Sequence, residues 1–470
     1  MGDTYRTTST GLSLATVEQL RRSLSGQILL HGDPGYDEAR TVWNGMIDKR
    51  PALIVRCTST SDVAAGVKFA REQELLVAVR GGGHSAAGHA VCDDGLMIDL
   101  SLMNDVQVDP EKQTARVGGG ALWADVDRTT QGHGLATTGG TFSGTGVGGL
   151  TLGGGFGFLS GKYGLACDNL LSAEVVTADG SVLTASNDQN ADLFWGLRGG
   201  GGNFGVVTSF EFQLYPVGPT VLAGMVVHPI ERAKEAFQFY REFTRNNPDE
   251  LNAIAGIVPS PEGMPTFVIL ACYNGSMEEG EEVVRPLREF GPPLMDGIGP
   301  MPYTTLQSMF DEAFPTGLSY YWKGRLVEEI TDDLIDTIIE HYEHAPTPFS
   351  VINLQQLGNA TNRVPKEATA FSHRDGRYDL LAMGGWQDPS EADASIQWAR
   401  DFYEHTGPLT SGGLYVNSLI ENDTLQSAYR DESFERLVAL KDKYDPTNLF
   451  RNNANIAPSA PISSTSEIGD

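Results

Sequence analysis

The sequence predicts a protein of the α+β class with more than one domain, and three observations favour this fold class. The chain has 470 residues, which is more than one hydrophobic core usually serves. Of its 55 glycines, 29 lie between Gly81 and Gly205, so this part differs in composition from the rest. After Pro219, strand-like runs alternate with amphipathic helices, which is typical of a mixed domain with one broad sheet.

Charge and hydropathy exclude several classes of protein. The chain carries 61 acidic and 33 basic residues, a net charge of −28, whereas nucleic-acid binding requires cations that displace phosphate counterions. Its 40% apolar residues suffice for a core and argue against disorder. No apolar run is long enough to span a membrane, and residues 1–27 lack the apolar core of a signal peptide. We therefore expect a cytoplasmic protein that contacts neither nucleic acid nor membrane.

The first part of the chain is expected to open with a strand, a helix and a strand between Ala52 and Val79. Thr58 or Ser59 precedes the helix and is a suitable N-cap. Further strands are predicted over residues 96–100, 113–117, 173–177 and 206–214. The last of these ends at Tyr215-Pro216, which indicates the end of a domain.

The middle part is expected to contain the broad sheet. Its strands are predicted over residues 221–227, 266–272, 350–354 and 380–384, and its clearest helices over 231–246 and 331–341. The last part, residues 415–458, is predicted to hold a strand, a helix over 432–444 and an Asn-rich end. Residues 459–470 are expected to form a disordered tail.

Two glycine clusters carry the strongest chemical signal. One is Arg80-Gly81-Gly82-Gly83-His84-Ser85, directly after an apolar strand, and the other runs from Gly139 to Gly149. Consecutive glycines expose backbone N–H groups that can surround phosphate oxygens. The second cluster includes a GxGxxG motif, but a poor strand precedes it and six glycines in residues 150–164 oppose a following helix. The motif therefore predicts a pyrophosphate site on a fold other than the Rossmann fold.

His84 ends the first glycine loop and is expected to point at the ligand that the loop surrounds. A neutral imidazole nitrogen is a competent nucleophile or base at physiological pH, although most isolated histidines are structural. The four cysteines have no metal-ligand spacing, so we expect reduced, mostly buried thiols. Glu278 to Glu282 form an acidic run without spaced histidines, and a solvated helix face explains it better than a metal site.

Four blocks of the chain resemble the vanillyl-alcohol-oxidase-type flavoproteins, and within them the berberine-bridge-enzyme-like oxidoreductases. The blocks are RGGGHSAAGHAVCDDGLMIDLS, TTGGTFSGTGVGGLTLGGGFGFLSGKYGLACDNLLSAEVVTADG, DLFWGLRGGGGNFGVVTSFEFQLYPV and KYDPTNLFRNNANI. The resemblance extends from about Arg50 to Pro458 and keeps the order of the blocks, so it is specific.

The resemblance implies a two-domain α+β flavoprotein. A PCMH-type FAD-binding domain would comprise residues 1–217, with its core at about 48–217, and would be completed by a C-terminal segment over 413–458. Residues 218–412 would form an α/β substrate domain with a broad antiparallel sheet. We expect a monomer or homodimer.

The resemblance also assigns the cofactor site. His84 matches the histidine that such enzymes bond to the 8α-methyl group of the flavin. Doubly tethered members have a cysteine where this chain has Phe142 and commonly a histidine where it has Leu150, so a single covalent link is expected. The residues assigned to FAD are Arg80, Gly81, Gly82, Gly83, His84, Ser85, Gly139, Gly140, Thr141, Ser143, Gly144, Thr145, Gly146, Gly148, Gly149, Gly205, Val206, Val207, Asn417, Asn453 and Asn455.

The substrate side is less clearly marked. Tyr415 lies in a segment that resembles the family's Tyr-x-Asn strand, where the tyrosine commonly serves as a catalytic base. Its ordinary pKa near 10 requires a tuned site for that role, and aromatic packing is the alternative. Further pocket candidates are Tyr320, Tyr321, Gln355 and His373. Strand alternation directs Tyr320 and Tyr321 to opposite faces, so only one should reach the pocket.

The resemblance implies an FAD-linked oxidase that removes hydride from an alcohol or amine carbon. Carbohydrates, secondary alcohols, cyclic amines and secondary metabolites are the substrate classes consistent with it. Dioxygen is the expected electron acceptor, with hydrogen peroxide as product. Two alternatives remain open at this point: a flavin dehydrogenase with another acceptor, and a flavin protein that binds a small molecule without turnover.

Overall fold

A computed structural model describes residues 12–410, 413–420 and 423–460. The helices are α1 (Leu14–Ser23), α2 (Tyr36–Arg40), α3 (Thr60–Glu72), α4 (Trp123–Gln131), α5 (Val147–Leu152), α6 (Ser160–Tyr163), α7 (Ala191–Leu197), α8 (Ala233–Arg245), α9 (Met277–Glu289), α10 (Tyr303–Gln307), α11 (Asp332–Tyr342), α12 (Asn359–Arg363), α13 (Ala392–Thr406) and α14 (Asp431–Tyr444). The mixture of helix and sheet confirms the α+β class.

The strands before residue 217 are β1 (Gln27–Leu30), β2 (Leu53–Arg56), β3 (Val77–Arg80), β4 (Leu96–Asp99), β5 (Val106–Asp109), β6 (Thr114–Gly118), β7 (Leu135–Ala136), β8 (Leu170–Val176), β9 (Val182–Ser186), β10 (Val206–Gln213) and β11 (Tyr215–Pro216). The later strands are β12 (Thr220–Pro229), β13 (Leu251–Pro259), β14 (Pro265–Tyr273), β15 (Met295–Asp296), β16 (Gly299–Pro302), β17 (Ser319–Val327), β18 (Val351–Gln356) and β19 (Tyr378–Trp386).

Two sheets organise the N-terminal half. The first has the order β1-β2-β4-β3, with β4 parallel to both β2 and β3. The second has the order β5-β6-β10-β8-β9 and is antiparallel throughout. The predicted strand–helix–strand unit is confirmed as β2, α3 and β3, and Ser59 caps α3 by accepting a hydrogen bond from the Asp62 N–H at 3.2 Å.

The GxGxxG segment contains a helix that the glycine content argued against. Helix α5 begins at Val147, inside the motif, and ends at Leu152 before three consecutive glycines. The Leu152 carbonyl accepts hydrogen bonds from the N–H groups of Gly199 and Gly201, so tertiary contacts stabilise the end of this short helix. The glycines limit its length rather than prevent its formation.

An eight-stranded antiparallel sheet dominates the middle of the chain. Its order is β15-β12-β14-β13-β18-β19-β17, and β16 pairs with β12 beside β15. The four strands predicted there are confirmed as β12, β14, β18 and β19. Strand β13 was not expected, because its alanines and glycine give a weak strand signal. One sheet face packs against α8, α9, α11 and α13, and the other faces the N-terminal half.

The C-terminal segment differs from the prediction in one element. The strand expected near Tyr415 is wrong, because Val416–Ser418 form a short 3-10 helix in which the Ser418 N–H donates to the Tyr415 carbonyl at 2.9 Å. The predicted helix is confirmed as α14. Most of the predicted disordered tail, residues 461–470, lies outside the described residues.

The four cysteines are free and buried, as expected. Among the described residues, no helix is long and apolar enough to cross a membrane. Within the same ranges, no group of three or more His, Cys, Asp or Glu side chains is placed to hold a metal ion.

Candidate active site

A cavity of about 630 Å³ lies between the glycine loops of the N-terminal half and the open face of the eight-stranded sheet. The loop after β3, the turn into α5 and the loop before β10 form one side. The C-terminal segment closes one end with Asn452, Asn453 and Ala454. Elements far apart in the chain therefore enclose one space of the size that small-molecule sites have.

Most residues assigned to the cofactor or substrate from the sequence line this cavity. They are Gly81, Gly82, Gly83, His84, Ser85, Thr141, Thr145, Gly146, Gly148, Gly149, Gly205, Val206, Val207, Asn417, Asn453, Tyr415, Tyr320 and Gln355.

Several assigned residues lie outside the lining, and four of them make other contacts. Arg80 donates to the Ala39 carbonyl, and Ser143 donates to Asp311 Oδ2 at 2.5 Å. Tyr321 lies on the opposite sheet face from Tyr320 and accepts a hydrogen bond from Arg400 Nε at 3.1 Å. His373 Nε2 lies 3.0 Å from the Ser427 carbonyl oxygen. The others outside the lining are Gly139, Gly140, Gly144 and Asn455.

His84 lies at the cavity wall, and its ring is held by an aromatic stack. The Trp43 ring lies 4.4 Å from the His84 ring at an interplanar angle of 16°, and its other face stacks on Tyr320 at 4.2 Å and 1°. Burial lowers the pKa of His84 to about 4, although Asp311 opposes this shift. The imidazole is therefore neutral at physiological pH and has a nitrogen lone pair available as a nucleophile.

The glycine loops contact each other backbone to backbone. A Cβ at Gly82 would lie 2.4 Å from the Gly146 nitrogen, so only glycine permits this approach. At Gly149 and Gly202, by contrast, a Cβ would meet no protein atom within 4 Å, although both residues line the cavity. Protein packing does not require glycine at these two positions, whereas close approach of a bound group would.

The Asn-rich end is anchored from the interior. Lys441 Nζ donates to the carbonyls of Asn203 at 3.0 Å and Phe450 at 2.9 Å, and pairs with Asp445 at 2.7 Å. Asn453 donates to the Gly202 carbonyl at 3.1 Å, while its buried Oδ1 has no hydrogen-bond partner within the described ranges. This oxygen is available to accept a hydrogen bond from a ligand.

Tyr415 is fully enclosed and its phenol oxygen accepts two hydrogen bonds. The donors are Asn417 Nδ2 at 2.7 Å and the Gly155 N–H at 3.0 Å. Burial is the largest influence on the pKa of Tyr415 and raises it. The two donors lower this pKa and the charge of Asp379 raises it, so that the pKa is raised overall. Tyr415 is therefore a neutral phenol at physiological pH that can donate its proton into the cavity.

Asp379 was not expected from the sequence, although it lines the cavity. Burial raises its pKa to about 7, and Oδ1 has no hydrogen-bond partner in the described part of the chain. Its cross-strand partner is Gln355, whose Nε2 is likewise unpartnered. The one signal in the sequence was an acidic residue, Asp379, within an otherwise apolar strand. Only the pairing of that strand in the sheet places Asp379 in the site.

Two family profiles match the chain: residues 51–186 match the FAD binding domain, and residues 415–457 match the family described as berberine and berberine like. An FAD-linked oxidoreductase of Dictyostelium discoideum is 33% identical over 447 residues, which cover 94% of this chain and 97% of the relative. The chain therefore belongs to the berberine-bridge-enzyme-like FAD-linked oxidoreductases.

Solved structures share the fold. The crystal structure of 6-hydroxy-D-nicotine oxidase from Arthrobacter nicotinovorans superposes with a TM-score of 0.84 at 31% identity, covering 93% of this chain and 99% of that one. Xylooligosaccharide oxidase from Myceliophthora thermophila, in complex with xylobiose, gives a TM-score of 0.83 at 25% identity, covering 95% and 100%. The two-domain architecture of PCMH-type flavoprotein oxidases is thus confirmed.

The cavity fits FAD by its own chemistry. Three glycine-lined loops face it, Gly149 and Gly202 leave room that no protein atom fills, and Asn453 offers a free acceptor. Exposed backbone N–H groups suit a pyrophosphate. Val206 and Val207, at the start of β10, also line the cavity beside these loops.

Proposed function

We propose that this protein is an FAD-dependent oxidase of a small molecule, acting at a carbon that bears an alcohol or amine, with dioxygen as electron acceptor. The observation that carries the proposal is the convergence of His84, the glycine loops, Tyr415 and Asp379 on one cavity. The FAD-binding domain would comprise residues 1–217 with 413–458, and the substrate domain residues 218–412.

The cofactor would be bonded once, through a ring nitrogen of His84 to the 8α-methyl carbon of the flavin. The neutral imidazole and its stacking on Trp43 support this assignment. Phe142 lines the wall where a second tether would stand, and its ring lies 6.0 Å from that of His84. When bound, FAD supplies a hydride acceptor; the remaining steps belong to the protein.

Tyr415 and Asp379 would handle the proton of the reacting group. The two donors to the Tyr415 oxygen fix the ring and leave its own O–H to donate to a further acceptor. Asp379 has a pKa of about 7 and a free oxygen, which makes it the stronger proton acceptor of the two at physiological pH. We assign Tyr415 to orientation of the substrate heteroatom and Asp379 to acceptance of its proton.

The covalent link is tested by acid precipitation. We expect the parent protein to retain its yellow colour in the pellet and the His84→Ala variant to release it. His133→Ala is the matched control, because that histidine is exposed and lies outside the cavity lining. Equal release of flavin from the parent and His84→Ala proteins would contradict the link.

Oxidase activity is tested by anaerobic mixing with amines, secondary alcohols and sugars, followed by admission of air. Substrate should bleach the flavin, and air should restore its colour within seconds with formation of peroxide. A reduced flavin that persists for minutes in air would identify a dehydrogenase. Bleaching by dithionite alone would favour a binding protein without turnover.

A further inference from the structure

A buried arginine outside the cavity lining connects the middle of the chain to the backbone behind Tyr415. Arg374 is 1% exposed and forms a bidentate ion pair with Asp168, from Nη1 to Oδ2 at 2.8 Å and from Nη2 to Oδ1 at 2.7 Å. Asp168 lies just before β8 and Arg374 lies between α12 and β19, so the pair joins two distant segments. Such a pair fixes the orientation of its partners as well as their distance.

All five N–H groups of the Arg374 guanidinium are used as donors. Two of them bond to Asp168. The other three reach the Phe371 carbonyl at 3.2 Å, the Thr361 carbonyl at 3.3 Å and Thr369 Oγ1 at 2.7 Å. A lysine has three donors on one nitrogen and cannot reproduce this planar arrangement. Position 374 therefore requires arginine for its geometry and not only for its charge.

Asp168 connects the ion pair to the backbone behind the cavity. Its Oδ2 also accepts the Leu165 N–H at 2.9 Å, at the start of the short 3-10 helix Ala166–Asn169. The N–H groups of the first two residues of this helix donate to the carbonyls of Gly155 at 2.7 Å and Gly154 at 2.9 Å. The ion pair therefore fixes a helix that in turn holds the glycine turn.

The glycine turn holds the phenol of Tyr415. The Gly155 N–H donates to the Tyr415 oxygen at 3.0 Å, so its direction helps to set where that oxygen lies. Gly155 has a φ of 81°, in the left-handed region, and a Cβ there would lie 2.9 Å from the Ala166 Cβ. Because the turn packs this closely on the 3-10 helix, a shift of the helix would move the Gly155 N–H.

A second set of contacts connects the same arginine to the ring of Tyr415. The Arg374 guanidinium lies over the Phe371 ring, 5.1 Å from its centroid, and the Phe371 ring lies edge-on to the Tyr415 ring at 6.2 Å. Phe156 packs against the Tyr415 ring at 4.8 Å. The hydrogen bonds thus restrain the phenol oxygen, and the packed rings restrain the plane of the phenol.

We propose that Arg374 and Asp168 are positioning residues for Tyr415, which they hold in the orientation that it needs to contact the substrate. This proposal rests on the role that the proposed oxidase function gives to Tyr415. Neither residue lines the cavity, so both act through the glycine turn and the packed rings rather than on the substrate. Asn417 also donates to the phenol oxygen, so loss of the pair should loosen Tyr415 without releasing it.

The first measurement is hydrogen exchange of the holoenzyme without substrate, followed by mass spectrometry. In Arg374→Lys, exchange over residues 153–158 and 166–169 should be about fivefold faster or more, because hydrogen bonds of both segments depend on the ion pair. Helix α3 and strand β12, which contain none of its partners, should exchange as in the parent. Arg363→Lys is the matched control, since Arg363 also pairs with both oxygens of one aspartate, Asp249, but is exposed. It should leave all of these segments unchanged.

The second measurement is the rate of flavin reduction under anaerobic conditions, with N-methylbenzylamine, 1-phenylethanol and cellobiose as probes. For a probe that bleaches the parent, Arg374→Lys should slow reduction about 10- to 100-fold and change binding by less than about twofold, because orientation is lost and contact is not. In a Tyr415→Phe background, Arg374→Lys should slow reduction by less than about twofold, since the group that it positions is already absent.

Asp168→Asn tests the pair from its other side, keeps the shape of that side chain and should reproduce both effects. Unchanged exchange over residues 153–158 would overturn the proposal, as would equal slowing in the parent and Tyr415→Phe backgrounds. Faster exchange throughout the chain in both variants would also overturn it, because the pair would then serve stability alone. If no probe bleaches the parent flavin, the oxidase function fails, and the exchange pattern still decides whether the pair positions Tyr415.

Discussion

At the scale of single residues, Trp43 shows how a side chain outside any motif can control the site. Its indole lies between the rings of His84 and Tyr320, and its Nε1 donates to the Phe314 carbonyl at 3.1 Å. The stack fixes the plane of the imidazole that we assign to flavin attachment. An aromatic pair contributes about 0.5–1.5 kcal/mol beyond its buried area.

We expect Trp43→Leu to lower the fraction of covalently attached flavin roughly threefold to tenfold, because the imidazole loses its preferred orientation. Trp43→Phe retains a stacking face and should stay near the parent value. The measurement is flavin fluorescence of the denatured protein band. Equal attachment in the Leu and Phe variants would show that stacking is unimportant.

Tyr415 allows a second prediction at this scale. Tyr415→Phe removes the acceptor of the Asn417 and Gly155 hydrogen bonds. It also removes the group that we propose as the donor to the substrate. We expect kcat to fall about 10²- to 10⁴-fold, the range of a lost acid–base or orienting group, with unchanged flavin content. Stopped-flow reduction of the flavin checks this. Parent-like reduction would assign Tyr415 to packing alone.

At the scale of elements, helix α14 connects the cofactor side to the core through one buried ion pair. Lys441 and Asp445 are both 0% exposed, and Asp445 also accepts the N–H groups of Leu449 at 2.8 Å and Phe450 at 2.9 Å. Together they fix the turn that leads into the Asn-rich cavity wall. The pair therefore positions residues that it does not contact directly.

Lys441→Met should cost about 3–5 kcal/mol of unfolding free energy, because Asp445 is left buried without its cation. Lys443→Met is the control on the same helix, since Lys443 pairs with Asp192 at the surface and should cost less than about 1 kcal/mol. Urea unfolding of both variants measures the difference. Similar losses in the two variants would contradict the role of the buried pair.

At the scale of the whole molecule, buried neutral histidines link stability to pH. His228 is fully buried on β12, both ring nitrogens lack partners within the described residues, and burial lowers its pKa from the ordinary 6.5. His89 has a pKa lowered to about 4 by burial. Below about pH 6.5 the unfolded chain binds a proton at each of these histidines, whereas the folded chain does not. The free energy of unfolding therefore falls as pH decreases below that value.

His228→Leu removes one of these groups and fills a similar volume. We expect it to raise the unfolding free energy by about 1 kcal/mol at pH 8, where an unsatisfied imidazole is replaced by carbon. The gain should be larger at pH 5.5. At that pH His228 of the parent takes up a proton on unfolding, which favours the unfolded chain, and the Leu variant has no such group. Urea unfolding at the two pH values tests this, and an equal gain at both would refute the linkage.

Local signals made much of the fold predictable. The strand–helix–strand unit around α3 follows from its apolar periodicity and the Ser59 cap, and helix α14 from its spacing. The strand predicted near Tyr415 failed because the side chain of Asn417 bonds to Leu150 and Tyr415, and the backbone turns there. Such tertiary contacts leave no periodic pattern in the sequence.

The sequence by itself determined the glycine loops, the histidine after a buried strand and the family motifs, because each depends on residues close together in the chain. Tertiary structure alone decided that Trp43 and Asp379 join His84 at one cavity, and that Tyr320 rather than Tyr321 faces it. Sheet register and domain packing set these positions, and both arise from contacts between distant segments. Residues close together in the sequence therefore predict the cofactor site, whereas the residues that would select the substrate are brought together only by the folded sheet.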